Sequence, residues 1–132
     1  MGYDPLRIFI YDEGLGRFAT EKYQKVGKKN MKDVHMHLTN YSLNKNNKNF
    51  IFNTSDKNMD KGHKRSLTAI YKYLASKGVD VEGIKKRIDE MIIKTLIVGQ
   101  PMIAHTYGLA QADTQANDLC FQILGFDVLI ND

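Results

Sequence analysis

Nineteen residues in the middle of the chain, "NKNNKNFIFNTSDKNMDKG" (44–62), hold almost nothing but Asn, Lys, Asp and small residues. Only Phe50-Ile51-Phe52 interrupts them with an apolar patch. Such a stretch has neither the 3.6-residue period of a helix nor the two-residue period of a strand. Loops of this length inside compact domains are functional or disordered. The chain is therefore divided by a long polar loop, with strand-like patterns before it and helical ones after it.

Before the loop, "LRIFIYDEGLGRFAT" reads as two short strands around a tight turn. Leu6, Ile8 and Ile10 alternate with Arg7, Phe9 and Tyr11. Asp12, Glu13 and Gly14 supply turn chemistry before a second run from Leu15 to Ala19. A polar connection leads to "VHMHLTNYS", where Val34, Met36 and Leu38 fall on one face of an expected strand and His35, His37 and Thr39 on the other. After the loop, Leu67, Ile70, Tyr71 and Leu74 stand at helical spacing, with Gly78 as the stop. Asp80 can cap a second helix whose buried stripe is Ile84, Ile88, Met91, Ile92 and Leu96, ended by Gly99 and Pro101. The tail "LCFQILGFDVLIND" is a continuous apolar run, read as a buried strand. It stops on the turn signal Asn131-Asp132, and the first strand starts after only a few residues. The expectation is a fragment of a larger domain, or a gene product missing its flanks.

Composition then excludes several classes. With 132 residues, 42% of them apolar, the chain can build one core. No apolar run approaches the roughly 20 residues that a membrane-spanning helix needs. "MGYDPLRIFIYDEG" lacks the pattern of a secretory signal. The single cysteine, Cys120, precludes an internal disulfide framework and reads as a small core residue. The expectation is an intracellular, soluble protein. Its net charge of +4 lies in one place. Lys45, Lys48, Lys57, Lys61, Lys64 and Arg65 stand against Asp56 and Asp60, and the rest of the chain is balanced. This segment is either a solvated lysine-rich loop or the edge that meets an acidic partner.

Most catalytic chemistries find no support. His35 and His37 lack a Cys or carboxylate at ligand spacing beyond Asp33, which argues against zinc. No serine has a nucleophile-elbow context, and "EGLGRF" is neither a Walker loop nor a dinucleotide fingerprint. Two charges remain. Arg17, in a strand of apolar and small residues, either pairs with Glu13 or Glu21 or binds an anion such as phosphate, which suits its planar fork. Asp127, embedded in "ILGFDVLI", is paired, protonated or bound to a cation such as Mg²⁺.

Five stretches occur together and in order: "DPLRIFIYDEGLGRFAT", "MHLTNYSLNK", "GHKRSL", "IIKTLI" and "CFQILGFDVLIND". In this order and approximate spacing they resemble the tubulin tyrosine ligase-like family, and its tubulin polyglutamylases most. The resemblance implies an α+β fold, the central part of the C-terminal region of an ATP-grasp domain. Antiparallel strands plus two helices are expected, incomplete at both ends, as one partial domain over 1–132 with a flexible loop at 44–63. It also implies ATP-dependent ligation: a glutamate carboxylate on a tubulin tail becomes an acylphosphate, which free glutamate attacks. By the same resemblance, Arg17 would contact the terminal phosphate or the acyl intermediate, and Thr39 and Asn40 would line the nucleotide. Tyr41, Ser42 and Lys64 would lie near the glutamate, and Asp127 would hold Mg²⁺. The basic segment from Lys45 to Arg65 would face the acidic tail of tubulin in microtubules. The setting implied is the cytoplasm and cytoskeleton, including the cilium or basal body, with no membrane.

The family's ATP-binding lysines would lie upstream of residue 1, and its "L-E-V-N" metal-binding motif would follow Asp132. On that ground the 132-residue chain alone is expected to be inert. The alternatives are a non-catalytic remnant that binds tubulin tails, or a glycine or tyrosine ligase of the same family. Nucleic-acid binding is disfavoured, since Asp80, Glu82, Asp89 and Glu90 lie among the lysines of the helical segment.

Overall fold

The structure is a computed structural model and describes residues 5–53, 60–110 and 121–130. It is α+β: a two-stranded antiparallel sheet and four helices in the described residues. The strands are β1 (Leu15–Arg17) and β2 (Lys64–Ser66), and the helices are α1 (Val34–His37), α2 (Tyr41–Asn44), α3 (Leu67–Ser76) and α4 (Val81–Ala110). Two compact units result, Asp12–Val79 and a second one of Met1–Tyr11 with Asp80–Asp132. Cys120 and the basic residue Lys57 fall outside the described residues.

In the Asp12–Val79 unit the strand after the first turn pairs across the long loop. The expected hairpin between residues 6–11 and 15–19 does not form; β1 pairs with β2, Leu15 opposite Ser66 and Arg17 opposite Lys64. The alternation seen in residues 6–11 still orders burial, with Leu6, Ile8 and Ile10 half-buried and Arg7, Phe9 and Tyr11 exposed. α3 runs on directly from β2 because Ser66 caps it, its Oγ accepting from Ala69 N at 3.1 Å. Glu13 adds a second cap, accepting from Thr68 N (3.1 Å) and Thr68 Oγ1 (2.7 Å). α3 then lies against the glycines of "EGLG". A Cβ on Gly16 would collide with Ile70 Cδ1, and one on Gly14 would touch Leu67 Cδ2 at 3.4 Å. The helix ends as its spacing predicts. Gly78 takes φ +78°, Gly78 N donates to Ala75 O (3.0 Å) and Val79 N to Leu74 O (3.1 Å), the Schellman pattern.

The expected strand "VHMHLTNYS" is instead two helical turns. Asp33 caps α1, its Oδ1 accepting from His35 N at 3.1 Å, and Asn40 stands at the head of α2. Short apolar alternation is a weak signal, and local side-chain hydrogen bonds outcompete it here. Only Met36 turns fully inward, 5% exposed, while Val34 and Leu38 remain 45% and 43% exposed. Its Sδ accepts from Gln24 N at 3.3 Å.

In the other unit, α4 starts where expected, with Asp80 Oδ1 accepting from Gly83 N at 2.9 Å. Leu96 is buried and Ile84, Ile88 and Ile92 are half-buried, whereas Met91 is exposed. The helix does not end at Gly99 and Pro101 but runs 30 residues to Ala110. Pro101 removes one backbone donor and sets its ring against the carbonyl one turn back, a cost of about 3 kcal/mol that the rest of α4 carries. None of the helices in the described residues is long and apolar enough to cross a membrane. The expected tail strand is absent: residues 121–130 carry no regular structure and are exposed throughout. A strand is held by a partner ladder and a covering layer, and neither reaches this run among the described residues.

Candidate functional site

The β1–β2 ladder sets Arg17 directly opposite Lys64. Phe18 N donates to His63 O at 2.9 Å and Leu67 N to Gly14 O at 2.9 Å. These bonds occupy alternate rungs, which makes Arg17–Lys64 a non-hydrogen-bonded pair, the kind whose side chains lie closest. Both residues are exposed and share one face of the ribbon. Like charges directly opposite each other repel, and an anion between them reverses the sign of that interaction. On the opposite face Arg65 is occupied structurally. Its guanidinium lies 4.7 Å from the Phe18 ring centroid, and its Nε donates to Gly62 O at 2.9 Å. Glu13 and Glu21, the acids weighed as partners for Arg17, also accept other bonds, and Arg17 is itself engaged within the structure. Glu21 accepts from Asn49 Nδ2 at 2.9 Å. The Glu13 carboxyl lies below its ordinary value of 4.5, first because the Thr68 hydroxyl donates to it and next because Gly14 N does.

Thr39, Asn40, Tyr41 and Ser42 form an exposed polar corner between α1 and α2. Asn44, 1% exposed, fastens that corner to the end of β1. Its Oδ1 accepts from Thr20 N (3.2 Å) and Thr20 Oγ1 (2.7 Å), and its Nδ2 donates to Leu38 O (2.8 Å) and Asn40 O (3.0 Å). A second tie runs through aromatic rings. Tyr41 meets Phe50 edge-on at 5.8 Å, and Phe50 stacks on His63 at 5.3 Å, next to Lys64. His63 also braces the long loop: its Nδ1 accepts from Ile51 N (2.9 Å), and its own N donates to Ile51 O (3.2 Å). The residues expected at ATP (Arg17, Thr39 and Asn40) and at glutamate (Tyr41, Ser42 and Lys64) thus all lie on one unit, tied together by two independent connections. Asp127 belongs to the other unit. His37 is held structurally, Nε2 against Asn30 O at 3.1 Å.

Asn44 and His63 are not singled out by the sequence, and Glu13 reads there as turn chemistry or a partner of Arg17, not as a helix cap. Thr20 lies 24 residues from Asn44 and Thr68 lies 55 from Glu13, and no local spacing encodes such contacts. Asn44 is further hidden by the asparagines around it.

Residues 1–132 match the Tubulin-tyrosine ligase family. A probable beta-tubulin polyglutamylase of Tetrahymena thermophila is 52% identical over 130 residues, 98% of this chain and 11% of that protein. Tubulin polyglutamylase TTLL6 of Mus musculus is 44% identical over 97% of the chain and 15% of its own length. Tubulin polyglutamylase TTLL7 of Xenopus tropicalis is 38% identical over 97% of the chain and 14% of its own length. The chain spans from 10% to 16% of the length of such curated relatives.

Proposed function

The chain belongs to the tubulin-tyrosine ligase family, and from that premise we propose that it is part of an ATP-dependent tubulin polyglutamylase of ATP-grasp type. The observation that most supports this is the Arg17–Lys64 cross-strand pair, two cations on one exposed face beside a polar corner. In the reaction, a glutamate side-chain carboxylate of tubulin attacks the terminal phosphorus of ATP and ADP leaves. The amine of free glutamate then attacks the acyl carbon, loses a proton and displaces phosphate. Arg17 presents its planar donor fork to the transferring phosphoryl group, where charge spreads over the oxygens. Thr39 and Asn40 line the nucleotide. Tyr41 and Ser42 offer hydroxyls to the amino acid, and Lys64 pairs with its carboxylate. The work of these residues is alignment and charge neutralisation.

The family also implies Mg²⁺. Among the described residues no group of three His, Cys, Asp or Glu converges, but Mg²⁺ commonly takes one or two carboxylates with water and phosphate oxygens. Asp127 would supply one carboxylate, and the ion when bound would add positive charge at the phosphates. The setting is the cytoplasm and cytoskeleton, cilium included.

The test is ATP-dependent incorporation of labelled glutamate into tubulin by the full-length protein that carries this segment. Arg17→Ala should lower the rate about 10²-fold or more, and Lys64→Ala should raise KM for glutamate. An Arg17→Ala protein with unchanged rate overturns the assignment. The same assay with glycine and tyrosine reads the amino acid added, and microtubule binding without any turnover would mark a remnant that only binds tails.

A further inference from the structure

Asn44 is the most deeply buried polar side chain among the described residues, and its carboxamide is saturated. An asparagine side chain offers two acceptor sites and two donors, and here all four are used: Thr20 N and Oγ1 on one end, Leu38 O and Asn40 O on the other. An apolar residue of similar size would fill the space but leave Thr20 N, Thr20 Oγ1 and Leu38 O without this partner, the costly side of the exchange. A buried polar network whose bonds are all made instead selects one backbone arrangement.

The arrangement selected is specific. Leu38 O belongs to the peptide plane just before Thr39 and Asn40 O to the one just after Asn40, so holding both carbonyls brackets the Thr39–Asn40 pair. Thr20 stands three residues beyond Arg17, at the exit of β1. The backbone adds to the clamp, Asn44 N donating to Asn40 O at 3.1 Å and Asn47 N to Asn44 O at 2.9 Å. We infer that Asn44 is a positioning residue: it locks the Thr39–Asn40 corner in register with the Arg17 strand, so that groups on two separate segments meet one anionic ligand in fixed alignment. This rests on the reading above, in which Arg17 and Thr39–Asn40 share a substrate. Only a carboxamide serves, because a carboxylate would set oxygen against both carbonyls and a hydroxyl cannot span them.

The experiment uses the full-length protein with three variants, Arg17→Ala, Asn44→Asp and Thr20→Val, each assayed well below its own unfolding midpoint. Asn44→Asp should lower kcat for glutamate incorporation about tenfold or more near neutral pH, as small misplacements of aligned groups do, with KM for tubulin little changed. Burial against two carbonyls raises the new carboxyl's pKa, and its protonated form regains one donor. Activity relative to wild type should therefore recover as pH falls, which a merely space-filling role would not produce. Thr20→Val, which keeps the backbone bond and removes the hydroxyl one, should show a smaller loss in kcat and no such pH dependence. Wild-type kcat in both folded variants, or a loss in Asn44→Asp that ignores pH, overturns the inference while leaving the parent reading in place. An Arg17→Ala enzyme that works normally sinks the parent reading instead, and the two failures are distinct.

Discussion

Glu13 shows how one exposed-looking side chain can organise a helix start. It accepts from Gly14 N (2.9 Å), Thr68 N (3.1 Å) and Thr68 Oγ1 (2.7 Å), supplementing the Ser66 cap at the positive end of α3. Because these bonds favour the ionised form, its carboxyl lies below the ordinary 4.5, the Thr68 hydroxyl being the largest cause. The direction of the pH effect follows from linkage. A depressed folded pKa stabilises the fold fully above the ordinary carboxylate value, and the stabilisation is lost as pH falls from about 4.5 through the folded value. Glu13→Gln should therefore weaken the α3 start slightly at neutral pH, solvent screening keeping the effect small, and abolish that acid-sensitive part. Amide exchange at Ala69, Ile70 and Tyr71, corrected for intrinsic rates, reads both effects. Equal protection in wild type and variant at pH 7 would show that Ser66 suffices alone.

At the level of elements, the packing of α3 on β1 depends on Gly16, where a Cβ would collide with Ile70 Cδ1. Gly16→Ala should destabilise the ribbon by about 1–3 kcal/mol, the usual range for overpacking, and Ile70→Val in the same chain should recover part of it. Thermal unfolding midpoints of the three proteins measure this, and additive losses would place the clash elsewhere. The same contact shows which parts of the fold the sequence carries openly. The stripe of Leu67, Ile70, Tyr71 and Leu74 and the Gly78 stop were legible because helix period and cap are written within a few residues. The partner of β1 was not, since β2 lies across the long loop and pairing over that distance leaves no local signature. At 34–44 the strand reading failed because Asp33 caps one short helical turn and the Asn40 carbonyl, accepting from Leu43 N and Asn44 N, opens another, a contest that alternation over five residues cannot decide. The tail failed for the opposite reason: an apolar run with β-branched residues states what it would bury, not whether a partner strand reaches it. For the site, Arg17 was singled out as a candidate through its unusual setting and Lys64 through the family resemblance, whereas their direct opposition required the register. Asn44 was invisible, because its meaning lies in four bonds and not in its neighbours.

Over the whole molecule, the distribution of charge decides how a polymer substrate would be met. The net charge of +4 is concentrated between residues 44 and 65, and Lys45, Lys48 and Lys61 stand exposed on the same unit as the Arg17–Lys64 pair. Lys45 also lies 5.8 Å from the Tyr41 ring centroid, which directs one of these charges to the polar corner. Attraction between such lysines and an acidic tubulin tail acts across solvent and is screened, the Debye length shrinking from about 30 Å at 0.01 M salt to about 8 Å at 0.15 M. Contacts to ATP at Arg17 would be made within hydrogen-bonding distance and screened far less. The two substrates should consequently separate in a salt titration of the full-length protein. KM for tubulin should climb steeply between those ionic strengths while KM for ATP moves little, and Lys45→Glu with Lys48→Glu should reproduce the high-salt KM for tubulin at low salt without altering kcat. A KM for tubulin that is indifferent to salt, or a double reversal that leaves it unchanged, would assign this basic segment to solvation alone and require the tail to approach from another surface.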